Sequence, residues 1–392
     1  MGSERNERRV HRGAILAAAL LLAPSLPGCG ESTPDYPSTL SFPSRADRLV
    51  LKAPESPPPG PNTAGQLEEE LARLDAAGGK TADPARVPGD ARQVLNRFLK
   101  DAFGTPAAPT VAADTAGPLG LTPDPLAEGG KLFRRHCLQC HNLAGDGRGP
   151  AGVGVVPFPR DFRRGEFKFT TTGTGKPRHA DLLRTLEHSL KGTAMPAFGL
   201  LPEGDRDLLA RYAVYLAVRG EVEFRTLATL TDDPKADARA TAEGHLKTIL
   251  AEWEKAQAAP QPAGLSPEPD DGETGKSEAH AAAVRRGYQL FVAKADNSCV
   301  TCHADFGRKP VLRYDVWGTV AKPADLTATT LKGGTRPQDV FARVRNGIPA
   351  VGMPAHPDYT DRQVWDLVRF VRSAPYPREL PEDVRAVVYP NP

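Results

Sequence analysis

Sulfur is scarce in this sequence. Its 392 residues include five cysteines and three methionines. Four of the cysteines fall into two C-x-x-C pairs, which leaves none for a disulfide framework. Long apolar runs are missing too. The run from Ala14 to Ala23 is shorter than the roughly 20 residues an ordinary transmembrane helix needs, and no later stretch is long and apolar enough to cross a membrane. A surplus of charge is also absent: 50 Lys and Arg stand against 48 Asp and Glu, a net charge of +2. That balance argues against a nucleic-acid binder. Proline and glycine, by contrast, are plentiful (39 and 37) but unevenly spread, so long linkers are expected between compact units. The length allows two or three domains, and 40% hydrophobic residues allow packed cores in parts of the chain.

Residues 1–29 read as a signal peptide of lipoprotein type. Arg5, Arg8, Arg9 and Arg12 form a basic head before the short apolar run. Leu26-Pro27-Gly28-Cys29 resembles the lipobox of bacterial lipoproteins, with Pro27 departing from the usual residue. The resemblance implies export, cleavage, and acyl chains on Cys29 that anchor the chain to a membrane. An ordinary signal peptide with a stray cysteine is the alternative.

The informative stretch is residues 129–150, GGKLFRRHCLQCHNLAGDGRGP. Cys137, Cys140 and His141 could be half a zinc site, a redox pair or a haem attachment point. The set recurs as Cys299, Cys302 and His303. A four-cysteine zinc site brings its pairs within roughly 20 residues, and these pairs lie 162 positions apart. A thioredoxin-like pair follows a strand and opens a helix, whereas the segments before these pairs look helical. C-x-x-C-H is the attachment pattern of c-type haem. Two thioether bonds hold the porphyrin, and the adjacent histidine supplies one axial nitrogen to iron. Two such sets on an exported chain point to two covalently bound haem c groups.

Each iron has a second axial position. Besides Met1, the methionines are Met195, in Gly192-Thr-Ala-Met195-Pro196, and Met353, in Gly352-Met353-Pro354. Each lies about 50 residues after its motif and is followed by Pro-Ala. Gap-filling in a core would scatter methionines. One per motif, in matching contexts, reads as a pair of axial ligands. His356 is the rival to Met353. His136 is expected to face away from the first motif, and His188 to lie on a helix before Met195. His179, His245 and His280 read as surface residues.

The motifs head a repeated unit. Gly129 and Phe133 precede the first, and Gly287 and Phe291 precede the second, each pair four residues apart. A glycine and an aromatic on one helix face let another helix cross closely. Pro159-Arg-Asp161-Phe162 follows the first motif and Pro323-Ala-Asp325-Leu326 the second. Asp181 and Asp339, expected as helix N-caps, begin apolar patterns that each end fourteen residues later at the methionine. Closing helices are expected near Asp205 to Val218 and near Asp361 to Ser373, the latter capped by Thr360. Each unit resembles a class I cytochrome c domain. The resemblance implies a mainly α fold, with two small all-α domains joined by flexible, partly helical linkers. It also implies a proline carbonyl facing the second ring nitrogen of each haem histidine, and Pro150 and Pro310 are the matching positions.

The chain then divides as follows. Residues 30–122 read as a Pro/Ala-rich tether with short helices near Gln66–Ala76 and Arg92–Phe103. Residues 123–222 and 278–376 are the two cytochrome c units. Residues 223–277 are an acidic linker, with a helix near Lys235 to Gln257 and a disordered part beyond it. Residues 377–392 are a proline-rich open tail. The units carry net charges of +4 and +5 and the linker −5, which suits docking of basic haem domains to an acidic redox partner; a merely solvated surface is the alternative. An iron with both His and Met bound has no open site for a substrate. The expected function is therefore transfer of single electrons between respiratory partners outside the cytoplasmic membrane, as a free carrier or as a subunit of a larger oxidoreductase. Partners would be redox proteins or a respiratory membrane complex, with no nucleic acid and no small-molecule substrate. The alternative is a dihaem enzyme, such as a cytochrome c peroxidase or a dehydrogenase, in which one iron must be open.

Overall fold

The computed structural model describes residues 35–55, 58, 73–111, 117, 119–259, 277–293 and 298–390. The signal peptide with Cys29, most of the helix expected near Gln66–Ala76 and most of 259–277 lie outside these residues. The described residues form eleven α-helices and three two-stranded antiparallel ribbons.

The expected tether is packed structure. β1 (Leu49–Lys52) pairs with β2 (Lys80–Ala82), and α1 (Gly89–Phe103) buries Leu95, Phe98, Leu99 and Phe103. A small ribbon, β3 (Gly104–Thr105) with β4 (Ala108–Pro109), follows it. The apolar face of α1 joins the same core as Tyr212 and Tyr215 of the first unit, and the Tyr215 hydroxyl donates to the Phe103 carbonyl at 2.6 Å. An amphipathic helix hides its apolar stripe wherever a partner face exists, and the first unit provides that face.

The first unit consists of α2 (Pro123–His136), the single turn α3 (Leu138–His141), α4 (His179–His188) and α5 (Glu203–Asp232). After it comes α6 (Ala238–Ala258), N-capped by Asp237. The second unit consists of α7 (Glu278–Val292), α8 (Cys299–Cys302), the ribbon β5 (Arg313–Tyr314) with β6 (Val320–Ala321), α9 (Pro337–Asn346) and α10 (Asp361–Ser373). Thr360 caps α10 in a capping box with Gln363. Asp181 and Asp339 are not N-caps. Each is the third residue of its helix, after Arg178 and Arg336 as caps. There the Asp181 carboxylate reaches back to accept from the Arg178 N–H at 3.0 Å, a bond that satisfies one orphan donor of the helix start.

The repeated glycines set the helix crossings. A Cβ on Gly129 would stand 2.5 Å from the Leu208 carbonyl oxygen, and one on Gly287 would stand 2.0 Å from that of Asp366. Only glycine lets α2 lie on α5, and α7 on α10, at this separation. One turn on, Phe133 meets Tyr212 and Phe291 meets Phe370, both at ring separations of 5.3 Å.

α5 runs fourteen residues beyond the expected end at Val218. Its continuation carries Arg219, Glu221 and Glu223, charged residues that are buried and paired. Glu221 accepts from Lys176 at 2.8 Å and from the Trp253 indole at 3.1 Å. Glu223 accepts from the Arg45 N–H at 2.8 Å. α6 packs on this extension and buries Ile249, Leu250 and Trp253. The C-terminal residues are not an open tail either: α11 (Glu382–Val388) buries Val384 and Val388 in the second core. No described helix is long and apolar enough to cross a membrane.

Candidate haem centre

Cys137 closes α2, and α3 then carries Cys140 and His141 on one turn, with the His141 N–H donating to the Cys137 carbonyl at 2.8 Å. α8 repeats the arrangement, with the His303 N–H donating to the Cys299 carbonyl at 2.9 Å. A single turn brings both thiols and the imidazole of each set to one side, as attachment of one porphyrin requires. Among the described residues all four thiols are free. Burial pushes the Cys137 thiol up to about 12 and raises that of Cys299 as well, the opposite of the lowered values of redox-active thiols. Among the described residues, no three His, Cys, Asp or Glu side chains are grouped to hold a bare metal ion.

Both histidines are oriented by a backbone carbonyl. His141 Nδ1 donates to the Arg160 carbonyl at 3.1 Å, and His303 Nδ1 donates to the Ala324 carbonyl at 3.0 Å. This fixes the tautomer and leaves Nε2 with a lone pair for a metal. Burial lowers the His141 pKa to about 4 and lowers that of His303 too, so both rings are neutral at neutral pH. Phe162 stacks on His141 at 4.6 Å.

These carbonyls correct the assignment of Pro150 and Pro310. The neighbouring residues Gly149 and Val311 instead donate back to the carbonyls of Cys140 and Cys302, at 3.1 and 3.0 Å. That ties Pro150 and Pro310 to the turn of the motif. Arg160 and Ala324 each follow a proline (Pro159, Pro323) in the repeated Pro-x-Asp pattern. The pattern was visible in the sequence, but nothing in it revealed which carbonyl points at the ring.

Met195 and Met353 line the same cavity as the two C-x-x-C-H sets. A two-way backbone bridge to Ile348, at 3.0 and 3.3 Å, pins Met353, and the Met195 N–H donates to Thr193 Oγ1 at 3.3 Å. The cavity is continuous through both units, with a volume of about 1300 Å³. Phe133 and Leu209 supply apolar wall on one side, and Phe291 and Leu367 on the other. His136 also lines it, near Phe198 at 6.1 Å, rather than facing away. His356 lines it too, stacked on Tyr359 at 4.8 Å. His188 is exposed. His179, His245 and His280 bond to Asp207, Thr229 and Ser373 respectively.

Cations on the cavity wall complete the picture. Arg313 lines the cavity, and its Nε is buried and has no partner among the described residues. Arg343 donates to the backbone carbonyls of Asp339 and Lys332, and burial lowers its pKa to about 10. Both side chains are half-buried; cations at such a wall suit an anion, and haem carries two carboxylates. The thiol pairs, oriented imidazoles, methionines, apolar walls and cations together fit haem c.

The sequence reading missed the seam between the units. Lys168 pairs with the fully buried Asp315 at 2.9 Å, and the Trp317 indole donates to the Asp161 carbonyl at 3.0 Å. Neither contact has a local signal in the sequence.

The family model described as cytochrome c oxidase, cbb3-type, subunit III, matches the chain twice, at residues 124–212 and 282–371. No curated protein matches the chain. Among solved structures, the chain is similar to one from the reducing HAO-like protein complex of Kuenenia stuttgartiensis. Identity is 24% and the TM-score 0.43, over 63% of this chain and 95% of that one. Each segment matched by the family model holds one C-x-x-C-H set and its methionine, so this chain carries two cytochrome c domains, which imply covalently bound haem c.

Proposed function

We propose that the chain is a dihaem c-type cytochrome that transfers single electrons. One haem is bound through Cys137 and Cys140, with His141 and Met195 as axial ligands. The other is bound through Cys299 and Cys302, with His303 and Met353. The observation that carries this reading is the shared cavity, which all eight residues line. Haem iron with His and Met ligands supplies a one-electron couple of raised potential. The chain's own residues hold that couple rigid. The carbonyls of Arg160 and Ala324 orient the histidines, the Met353 bridge limits movement of the sixth ligand, and the apolar walls exclude water. Small movement between oxidation states favours fast exchange.

In this reading the protein acts outside the cytoplasmic membrane, with the lipid on Cys29 holding it there. It exchanges electrons with redox proteins or a respiratory membrane complex, free or as a fixed subunit. The test is an optical spectrum of the reduced holoprotein with and without carbon monoxide. An unchanged spectrum with two haems per chain supports the carrier. Carbon monoxide binding at one haem would overturn it in favour of a dihaem enzyme. Detergent-phase partitioning that Cys29→Ser abolishes tests the anchor.

A further inference from the structure

We propose that Trp317, a residue of the second domain, is a positioning residue for the haem histidine of the first. The inference rests on the reading of His141 as an iron ligand.

His141 is oriented by the Arg160 carbonyl. Trp317 grips the backbone around that carbonyl from two directions. The Arg160 guanidinium lies over the indole ring, 3.6 Å from its centroid. The indole N–H donates to the carbonyl of the next residue, Asp161, at 3.0 Å. A cation–π contact at this range between two half-buried side chains and a hydrogen bond to the adjacent peptide together limit rotation of the 160–161 unit. The Arg160 carbonyl therefore keeps its aim at the ring.

Trp317 is itself held firmly. Asp315, fully buried, accepts from the backbone N–H groups of Trp317 and Thr319 at 3.1 and 2.9 Å. It also takes the ammonium of Lys168, from the first domain, at 2.9 Å. The Val316 N–H donates to the Ala350 carbonyl at 3.0 Å, three residues before Met353. One loop thus touches the peptide that orients His141 and the turn that carries Met353. The arrangement is one-sided: Ala324, the counterpart of Arg160, has no side chain for such a grip.

A carbonyl bonded to the far nitrogen makes the imidazole a stronger donor. A stronger donor favours the oxidised iron, so loosening the carbonyl raises the potential of that haem. The experiment is a spectroelectrochemical titration of the holoprotein, wild type against Trp317→Phe and Trp317→Ala. Met195→His and Met353→His proteins assign the two redox steps. Arg184→Ala, which removes a different contact across the seam, is the control for loosened docking.

The expected result is a raised potential at the first haem in Trp317→Ala, with the second unchanged. The one-electron equilibrium between the haems shifts by up to about tenfold, or about 59 mV, at the lower end of second-shell effects. Trp317→Phe, which keeps a smaller aromatic face and loses the N–H, shows a smaller shift in the same direction and carries the test if the alanine protein does not fold. Unchanged potentials in a haem-replete variant overturn the inference, as does an equal shift at both haems or the same shift in Arg184→Ala. A wild-type protein lacking a six-coordinate first haem would instead overturn the proposed function.

Discussion

Arg184 and Asp339 pair across the seam between the two cytochrome c domains, with Nη1 3.3 Å from Oδ1. The other arm of Arg184 reaches Asp181 in its own helix at 3.2 Å. Asp181 and Asp339 hold the same place in the repeat, so one guanidinium joins two equivalent carboxylates. Both are nearly inaccessible to water. Replacing Arg184 by alanine is expected to cost about 1–3 kcal/mol, because two buried carboxylates each lose a donor. Chemical denaturation of the holoprotein measures this, and a change below about 0.5 kcal/mol would mean that the pair is no more than a surface contact.

The glycine crossings give a sharper effect. Gly129→Ala and Gly287→Ala each place a methyl group inside the van der Waals radius of a backbone carbonyl on the facing helix. Each should destabilise its own domain by about 2 kcal/mol or more. Thermal unfolding followed at the haem band checks it, and a wild-type midpoint in either variant would contradict the close approach.

Removing a sixth ligand should open one haem at a time. Met195→Ala and Met353→Ala are each expected to admit carbon monoxide at one haem and to lower that haem's potential, since methionine ligation raises it. Binding of carbon monoxide at both haems in a single variant would show that the methionines do not serve separate irons.

Acid should loosen the N-terminal segment first. Burial pushes the Asp47 carboxyl up, but Arg45 and Arg163 outweigh it, and the net shift is well below the usual range. A folded-state pKa lowered in this way stabilises the fold above the unfolded value of about 3.9 and loses that contribution as pH falls through the folded value. Stability should therefore drop progressively below about pH 4, and Asp47→Asn should flatten the drop. Denaturation midpoints between about pH 2.5 and 6 give the comparison, and a parallel fall in both proteins would contradict it.

What could be read from the sequence was local. The C-x-x-C-H sets, the glycine–aromatic pairs and the Thr360 cap are defined by residues close in the chain, and the structure places them accordingly. Aspartates in a first turn were visible, but Asp at N-cap and Asp at N3 look alike in one dimension. The burial of Arg219, Glu221 and Glu223 had no signal in the sequence, because a charge run normally marks a solvated face. Only the distant partners Lys176, Trp253 and Arg45 reveal that these are interior. The carbonyls of Arg160 and Ala324 escaped for a different reason. A backbone group has no residue identity, so no spacing rule points to it.

The core of the first domain reaches well past its repeat. Tyr215 leans on Phe103, and Glu221 on Trp253. The second domain has a separate core of its own within residues 284–388. A fragment excised at residues 123 and 222 would expose the face that α1 and α6 now cover, whereas one cut before Ser277 and after Tyr389 would keep its interior whole. The length that was duplicated and the length that must fold together are the same for one half of this chain and different for the other.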